Sequence, residues 1–471
     1  MSGELSRRYL LGAGLGVAGG MVAGPAIAGA AFGATGADPL AGTDGLCPVR
    51  LPWPQARVIV ARTRVPHFPH RVFNVLAFGA VGDGTTDNTA AFAAAIAECH
   101  RKGGGRVVVP AGTYLTGAVH LRSHVNLHLE AGSTLSFSGD VTKYPTVLTR
   151  YEGIECMNHS PMIYAYRQRN IALTGSGTLD AAGTATWNKG NERAYLEALI
   201  AQGLTDPAQR VIPGSGHFLR STFIEPYACD TVLIQGVTLK NPLFWQMHPT
   251  LCRNVTIDGV TTDPSTAHSN TDGCNPECCD HVVIKNCNLG AHDDNIAIKA
   301  GRDADGRRVN VPTENVVVHD CVMNGNWGAI TCGSEMTGGI RNVYAFRCQV
   351  VGLTKFALYV KSNTLRGGFA QNINLDSFTG TFDRSVVFVT MTYNNQTGDF
   401  PPAFGPFTLT NSSCTRAPLV FDVNGLPTDP IHGFVVRDCA FDGVVNTTNR
   451  ISNVEGLVFD NVTINGMPVT G

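Results

Sequence analysis

The sequence predicts an all-β solenoid, a parallel β-helix closed at its N-terminal end by a capping helix. Three observations carry this prediction: a strand-like phrase that recurs along most of the chain, a composition rich in turn residues, and one amphipathic helix just ahead of the strands. Of 471 residues, 53 are Gly, well above the roughly 7% of average usage, and only 15% are charged. Gly and Asn supply the positive φ angles that tight corners need. A hydrophobic fraction of 43% allows a large core and excludes a disordered chain. Lys plus Arg number 35 against 37 Asp plus Glu, a formal charge of −2, so no nucleic-acid partner is expected.

The N-terminus reads as an export signal. Arg7 and Arg8 precede a weakly hydrophobic run from Leu10 to Phe32, with Ala26-Ile27-Ala28 as a small-residue cleavage site. The pattern over 1–30 resembles a bacterial twin-arginine signal. No later stretch approaches the roughly 18 apolar residues that span a bilayer, so no membrane span is expected after signal removal. The mature chain is expected as a monomer outside the cytoplasm, periplasmic or extracellular. It divides into an extension over 31–70 and one domain over 71–471.

The capping helix is read in TTDNTAAFAAAIAECHRKGGG, from Thr85. Asp87 is its expected N-cap, Phe92, Ile96 and Cys99 share one face, and Gly103 ends it. A solenoid exposes an apolar end, and this helix is placed to cover it. The strands follow as a series of phrases: RNIALTG from Arg169, DTVLIQGVTL from Asp230, RNVTIDGVT from Arg253, DHVVIKNCNL from Asp280, ENVVVHDCVM from Glu314, RNVYAFRCQV from Arg341 and QNINLDSFTG from Gln371, with weaker copies near Gly433 and Asn453. The equivalent positions Val232, Val255, Val282, Val316, Val343 and Ile373 are 23, 27, 34, 27 and 30 residues apart. Units of this length cannot bury an apolar face alone and must stack. A second helix, from Asn191 to Gln202, is expected within an insertion at the rim of a cleft.

Fourteen Cys are present. Cys287, Cys321, Cys348 and Cys439 close equivalent phrases and are expected to stack as core thiols. Cys274, Cys278 and Cys279 lack zinc spacing, so no metal is assigned.

Polar sites interrupt the pattern at rung-like intervals: Asn270-Thr271-Asp272, His292-Asp293-Asp294, Asn326-Trp327-Gly328 and Tyr359-Val360-Lys361. Asp272 to Asp293 is 21 residues, Asp293 to Trp327 is 34 and Trp327 to Lys361 is 34, so the four are expected in one surface column. Trp245 and His248 extend it one rung earlier. Adjacent strand residues face opposite ways, so Asp293 and Asp294 share a cleft only if a bulge or turn falls between them. Crowded carboxylates repel, and at least one should hold its proton to near-neutral pH. A proton donor beside ionised carboxylates suits glycosidic hydrolysis. Lys361, Lys299, Arg302 and Arg366 offer cations for an acidic sugar. Clustered Asp also admits a Ca²⁺ site.

At these residues the sequence resembles glycoside hydrolase family 28, the polygalacturonases and related pectin hydrolases. The resemblance rests on NTDG from Asn270, HDDNIAIKAG from His292, FNVLAFGAVGDGTTDNTAAF from Phe73, PAGTYLTG from Pro110, TRYEG from Thr149, FWQMHP from Phe244, GSEMTGGIRNV from Gly333 and KSNTLRGG from Lys361. It implies a right-handed parallel β-helix and inverting hydrolysis of α-1,4-galacturonosyl linkages in a pectic polysaccharide or oligogalacturonide, with no cofactor. Asp293 would be the acid, and Asp272 and Asp294 would activate water. Lys361 would grip the substrate carboxylate, with Tyr359, Trp327, Asn270, His248, Trp245 and Lys299 also binding substrate. Trp327 stands where the family has His, and Tyr359 where it has Arg. GAVGDG and TRYEG resemble members that trim chain ends. A pectate-lyase-like β-eliminase and a non-catalytic glycan-binding β-helix are the alternatives.

Overall fold

The computed structural model describes residues 50–187, 192–263 and 268–469, and the expected export signal lies outside them. The recurring phrases form one continuous parallel ladder. Val232, Val255, Val282, Val316, Val343 and Ile373 pair in that order, as their spacing predicts. The ladder runs on through Phe407, Phe434 and Leu457. The strand Phe407–Thr410 is a copy that lacks the usual Asn opening and so escapes the sequence pattern. A second line of short parallel strands follows each turn, as in Thr238–Lys240, Thr261–Thr262 and Asn288–Ala291. The third line is a six-stranded parallel sheet that includes Ile296–Ile298, Gly328–Gly333, Phe356–Lys361 and Ser385–Thr390. Single bridges extend that line back through Cys274 and Met247 to Ile224.

The second residue of most phrases is an Asn that turns a corner, a place taken by Thr231 and His281 in two of them. Asn170, Asn254, Asn315, Asn342 and Asn372 all hold a positive φ, a conformation that Asn tolerates better than most residues. Their side chains also link rungs. Asn372 Nδ2 donates to Asn342 Oδ1 at 3.0 Å, and Asn342 Nδ2 to Asn315 Oδ1 at 3.1 Å.

The thirteen described cysteines are buried and unbridged. Cys287, Cys321 and Cys348 occupy successive rungs, and Cys439 lies further along the same column after Phe378 and Ser412. A second column, Cys229, Cys252 and Cys279, was not read from the sequence. Cys278 instead turns outward and accepts from Arg150 Nη1.

The capping helix α2 spans Thr89–Arg101 and buries Phe92, Ile96 and Cys99 against the first rungs. Its N-cap is Asn88, one residue beyond the expected Asp87. The Asp87 carboxylate still accepts from Thr89 N at 3.0 Å, so it serves the helix end from one position earlier. An unanticipated helix α1, Pro54–Arg62, lies in the extension and packs Ala56 and Ile59 on Val317 and Tyr344, outside the coil.

Three insertions build up the outer face of the third sheet. An antiparallel hairpin pairs Thr146–Tyr151 with Ile154–His159. The rim helix α3 is present as Arg193–Ala201, and a short helix α4 spans Asp303–Val309. The hairpin covers the earlier rungs with buried ion pairs. Arg150 Nη1 lies 3.1 Å from Glu277 Oε1, and Thr149 Oγ1 donates to Glu225 Oε2 at 2.6 Å.

Candidate active site

The site forms where the covered part of that outer face ends. The chain bends through His292, Asp293 and Asn295, between the strands Asn288–Ala291 and Ile296–Ile298. The bend breaks the strand alternation, so Asp293 and Asp294 reach one cleft, joined by Asp272 from the preceding rung. One carboxylate oxygen from each lies within 4.8 Å of the others. Among the described residues they are the group that could share a cation.

Each carboxylate is held differently. Asp294 accepts from Gly328 N at 2.8 Å, Thr331 Oγ1 at 2.8 Å and Lys361 Nζ at 3.1 Å, so its recorded partners are all donors. A Cβ at Gly328 would lie 2.0 Å from Thr331 Oγ1 and 3.0 Å from Asp294 Oδ1, so glycine is required there. Asp272 is fully buried. Its Oδ2 accepts from Asn275 Nδ2 at 2.8 Å, while Oδ1 has no hydrogen-bond partner among the described residues. Burial, then the Asp293 and Asp294 charges, push Asp272 well above the usual carboxylate range. Burial and the Asp294 carboxylate raise Asp293 to about 6, against the pull of Lys361 and Lys299. Asp293 is also the most accessible of the three. Its Oδ1 accepts from Asp294 N at 2.9 Å, and Asn270 Nδ2 reaches its Oδ2 at 3.5 Å.

The three Asp line one wall of a cavity that also contains Trp245, Asn270, Lys299, Lys361, Arg302 and Arg366. Lys299 Nζ donates to Glu335 Oε2 at 2.8 Å and Gly333 O at 3.0 Å, and sits 5.0 Å from the Trp245 ring centroid. Burial opposes it, yet Lys299, Arg366 and Arg302 together hold Glu335 well below its ordinary range. Glu152 from the hairpin and Arg193 from α3 close the far end as an ion pair, and Arg302 Nη1 lies 3.5 Å from the same Glu152.

Several residues expected at the site lie elsewhere. His248 is fully buried beneath Trp245, with Nε2 2.8 Å from Glu277 Oε2, because the strand that carries it runs under the hairpin. Lys361 shares a rung position with Gly333, not with Trp327. Trp327 begins the loop entry to its strand and Lys361 ends the next one, so the expected single column is really a diagonal. Trp327 and Tyr359 stand beside the cavity, with ring centroids 6.5 Å apart. Glu152, Arg193, Ser334, Glu335, Tyr393 and Asn394 line it without having been singled out. Glu152 and Glu335 lie inside phrases that carried the family resemblance, and Arg193 lies in the rim insertion. Tyr393 and Asn394 had no sequence signal.

A β-helix with crowded carboxylates in a cation-rich cavity on one outer face is the build of a polysaccharide-cleaving enzyme. The model of the glycosyl hydrolases family 28 matches residues 214–403, and the chain belongs to that family; it is a glycosidase on a right-handed parallel β-helix. A second model, rhamnogalacturonase A/epimerase, pectate lyase-like, matches residues 72–181. The crystal structure of a hyperthermoactive exopolygalacturonase from Thermotoga maritima is 35% identical, with TM-score 0.81, over 88% of this chain and 96% of that one. The family 28 exopolygalacturonase of Yersinia enterocolitica is 25% identical, with TM-score 0.70, over 86% and 76%. A probable polygalacturonase of Vitis vinifera is 28% identical over 77% of this chain and 72% of its own.

Proposed function

We propose that this glycosidase hydrolyses α-1,4-galacturonosyl linkages in pectin or a related galacturonan, one chain end at a time. Asp293 protonates the leaving oxygen and Asp294 activates the attacking water; Asp272, pushed well above the usual carboxylate range beside them, joins as a base only once it has given up its own proton. Lys299 and Lys361 receive the sugar carboxylate, while Trp245 and Asn270 bound the ring. No cofactor takes part. The observation that carries this reading is the pairing of an accessible, proton-holding Asp293 with two ammonium groups in one cavity.

End-on action is supported by the Glu152–Arg193–Arg302 ion pairs that line the cavity on the hairpin side. Both solved relatives described above are named as exopolygalacturonases. Residues 71–471 act as one catalytic domain in this reading, and the Arg7-Arg8 leader pattern supports export to where pectin lies.

Inversion is the outcome the family resemblance implies. The carboxylate oxygens within 4.8 Å of one another favour a second reading. Inverting pairs that attack from opposite ring faces usually stand about 6.5–9.5 Å apart, and retaining pairs about 5–5.5 Å. The two are separated by the anomer released first from an oligogalacturonate, followed by NMR. The β anomer means inversion, and the α anomer means a covalent intermediate. The same digestion tests the whole reading: saturated monogalacturonate must appear in the presence of a chelator. Unsaturated, ultraviolet-absorbing products would instead identify an eliminase.

A further inference from the structure

Each cation lining the cavity also pairs with a carboxylate of the protein, so a substrate carboxylate would share Lys299 and Lys361 with Glu335 and Asp294. Lys299 pairs with Glu335, Lys361 with Asp294, Arg193 with Glu152, and Arg302 and Arg366 with Glu335 and Asp303. Just outside it, on the open side, two cations are held in another way. Trp327, Tyr359 and Phe388 form a ladder of rings across successive rungs, with centroid separations of 6.5 Å and 5.4 Å, and Phe356, from the same strand as Tyr359, packs 5.2 Å from Phe388. Lys355 Nζ lies 3.4 Å from the Trp327 centroid, and Arg384 Cζ lies 5.0 Å from that of Phe388. Neither makes an ion pair with a carboxylate among the described residues. Asp383, adjacent to Arg384 in sequence, is instead 3.1 Å from Arg416 Nη2. Trp327 N donates to Asp293 O at 3.3 Å, so the ladder begins at the backbone of the acid.

An aromatic face fixes a cation in place without neutralising it. A cation held this way at the mouth of a carboxylate-cutting site keeps its charge available for an anionic ligand. Lys361 Nζ, 4.2 Å from the Tyr359 centroid, links the ladder to the cavity.

We propose that Lys355 and Arg384, mounted on the Trp327–Phe388 ladder, bind the carboxylates of the uronate residues beyond the scissile bond, on the polymer that leaves. This rests on the galacturonan reading above and assigns that polymer a track outside the end-closed cavity. The track makes the enzyme favour long, unesterified chains over the dimer, because only they reach both cations.

The test compares kcat/KM on di-, tri- and tetragalacturonate. In the wild type the tetramer is preferred, and methyl esterification of its residues beyond the cleaved bond removes the preference. Lys355→Gln and Arg384→Gln should each lower the tetramer-to-dimer ratio about five-fold, the effect of a partly exposed charge pair, with the loss carried by KM. Lys355→Arg should restore most of it, which separates charge recognition from a packing defect at Trp327. A wild-type ratio in both Gln variants and in their double mutant overturns the proposal while leaving galacturonan hydrolysis standing. If the wild type cleaves none of these oligomers, the preceding reading fails and takes this one with it.

Discussion

The outer face of the third sheet is built in two contrasting halves. Over the earlier rungs Glu225, His248 and Glu277 are fully buried under the hairpin, where Glu277 meets Arg150 and His248 and Glu225 accepts from the hydroxyls of Thr149 and Thr222. Over the later rungs the same face carries a buried Tyr359 and a half-buried Phe388, with cations seated on aromatic rings. The three clustered carboxylates, Asp272, Asp293 and Asp294, sit at the boundary. There one wall is dry enough to hold a proton on Asp293, and the other side stays open to a polymer. Desolvation that would be wasted in mid-groove becomes useful where cover stops.

The largest expected effect attacks the boundary itself. Asp293→Asn should lower kcat about a thousand-fold, the usual worth of a positioned general acid, while the thermal midpoint stays near wild type. Substantial retained turnover on oligogalacturonates would remove Asp293 from the acid role.

Next in size is a break in the covered half. Burial works against Glu277, yet Arg150 and His248 hold it below its ordinary range. Glu277→Gln leaves the fully buried Arg150 short of a counter-charge, a loss of about 3 kcal/mol or more. A denaturation midpoint that does not move would show that the hairpin cover is dispensable.

The contrast also sets a pH dependence. Asp293 must be protonated to act, so kcat should fall as pH rises through about 6. Because Lys361 pulls that value down, Lys361→Gln should move this limb to higher pH whatever it does to the absolute rate. A limb that stays in place would separate it from Asp293. Stability follows the same sign. At Asp293 the folded state holds its proton between 3.8 and about 6 where the unfolded chain does not, so this group's contribution to stability is lost as pH climbs through that window.

The smallest effect lies far from either half. Asn342→Ala forces a positive φ on a residue with a full Cβ and cuts a rung-to-rung hydrogen bond. A cost of about 1–2 kcal/mol is expected in a denaturant midpoint, with kcat unchanged.

Asn342 also marks the limit of what could be read in advance. The ladder from Val232 to Ile373 was legible because a solenoid repeats its local chemistry: a positive-φ corner, most often Asn, then an apolar, largely β-branched run and a stop. The three Asp were legible because Asp272 falls one turn before the adjacent Asp293 and Asp294. His248 was misplaced because nothing in FWQMHP tells that a hairpin almost a hundred residues earlier lies over it. The second Cys column was missed because Cys279 drew attention as part of a cluster.

By itself the sequence determined the coil, its register, its helical cap and the identity of the three carboxylates, since all of these follow from periodicity and side-chain chemistry along one strand line. Tertiary structure alone decided which of those carboxylates are pushed up, Asp272 and Asp293, and which cations pair with Glu335 and Glu152. Those properties depend on desolvation and on charges from Glu152, Arg193 and Lys361, contributed by segments whose spacing in the chain bears no relation to the rung repeat.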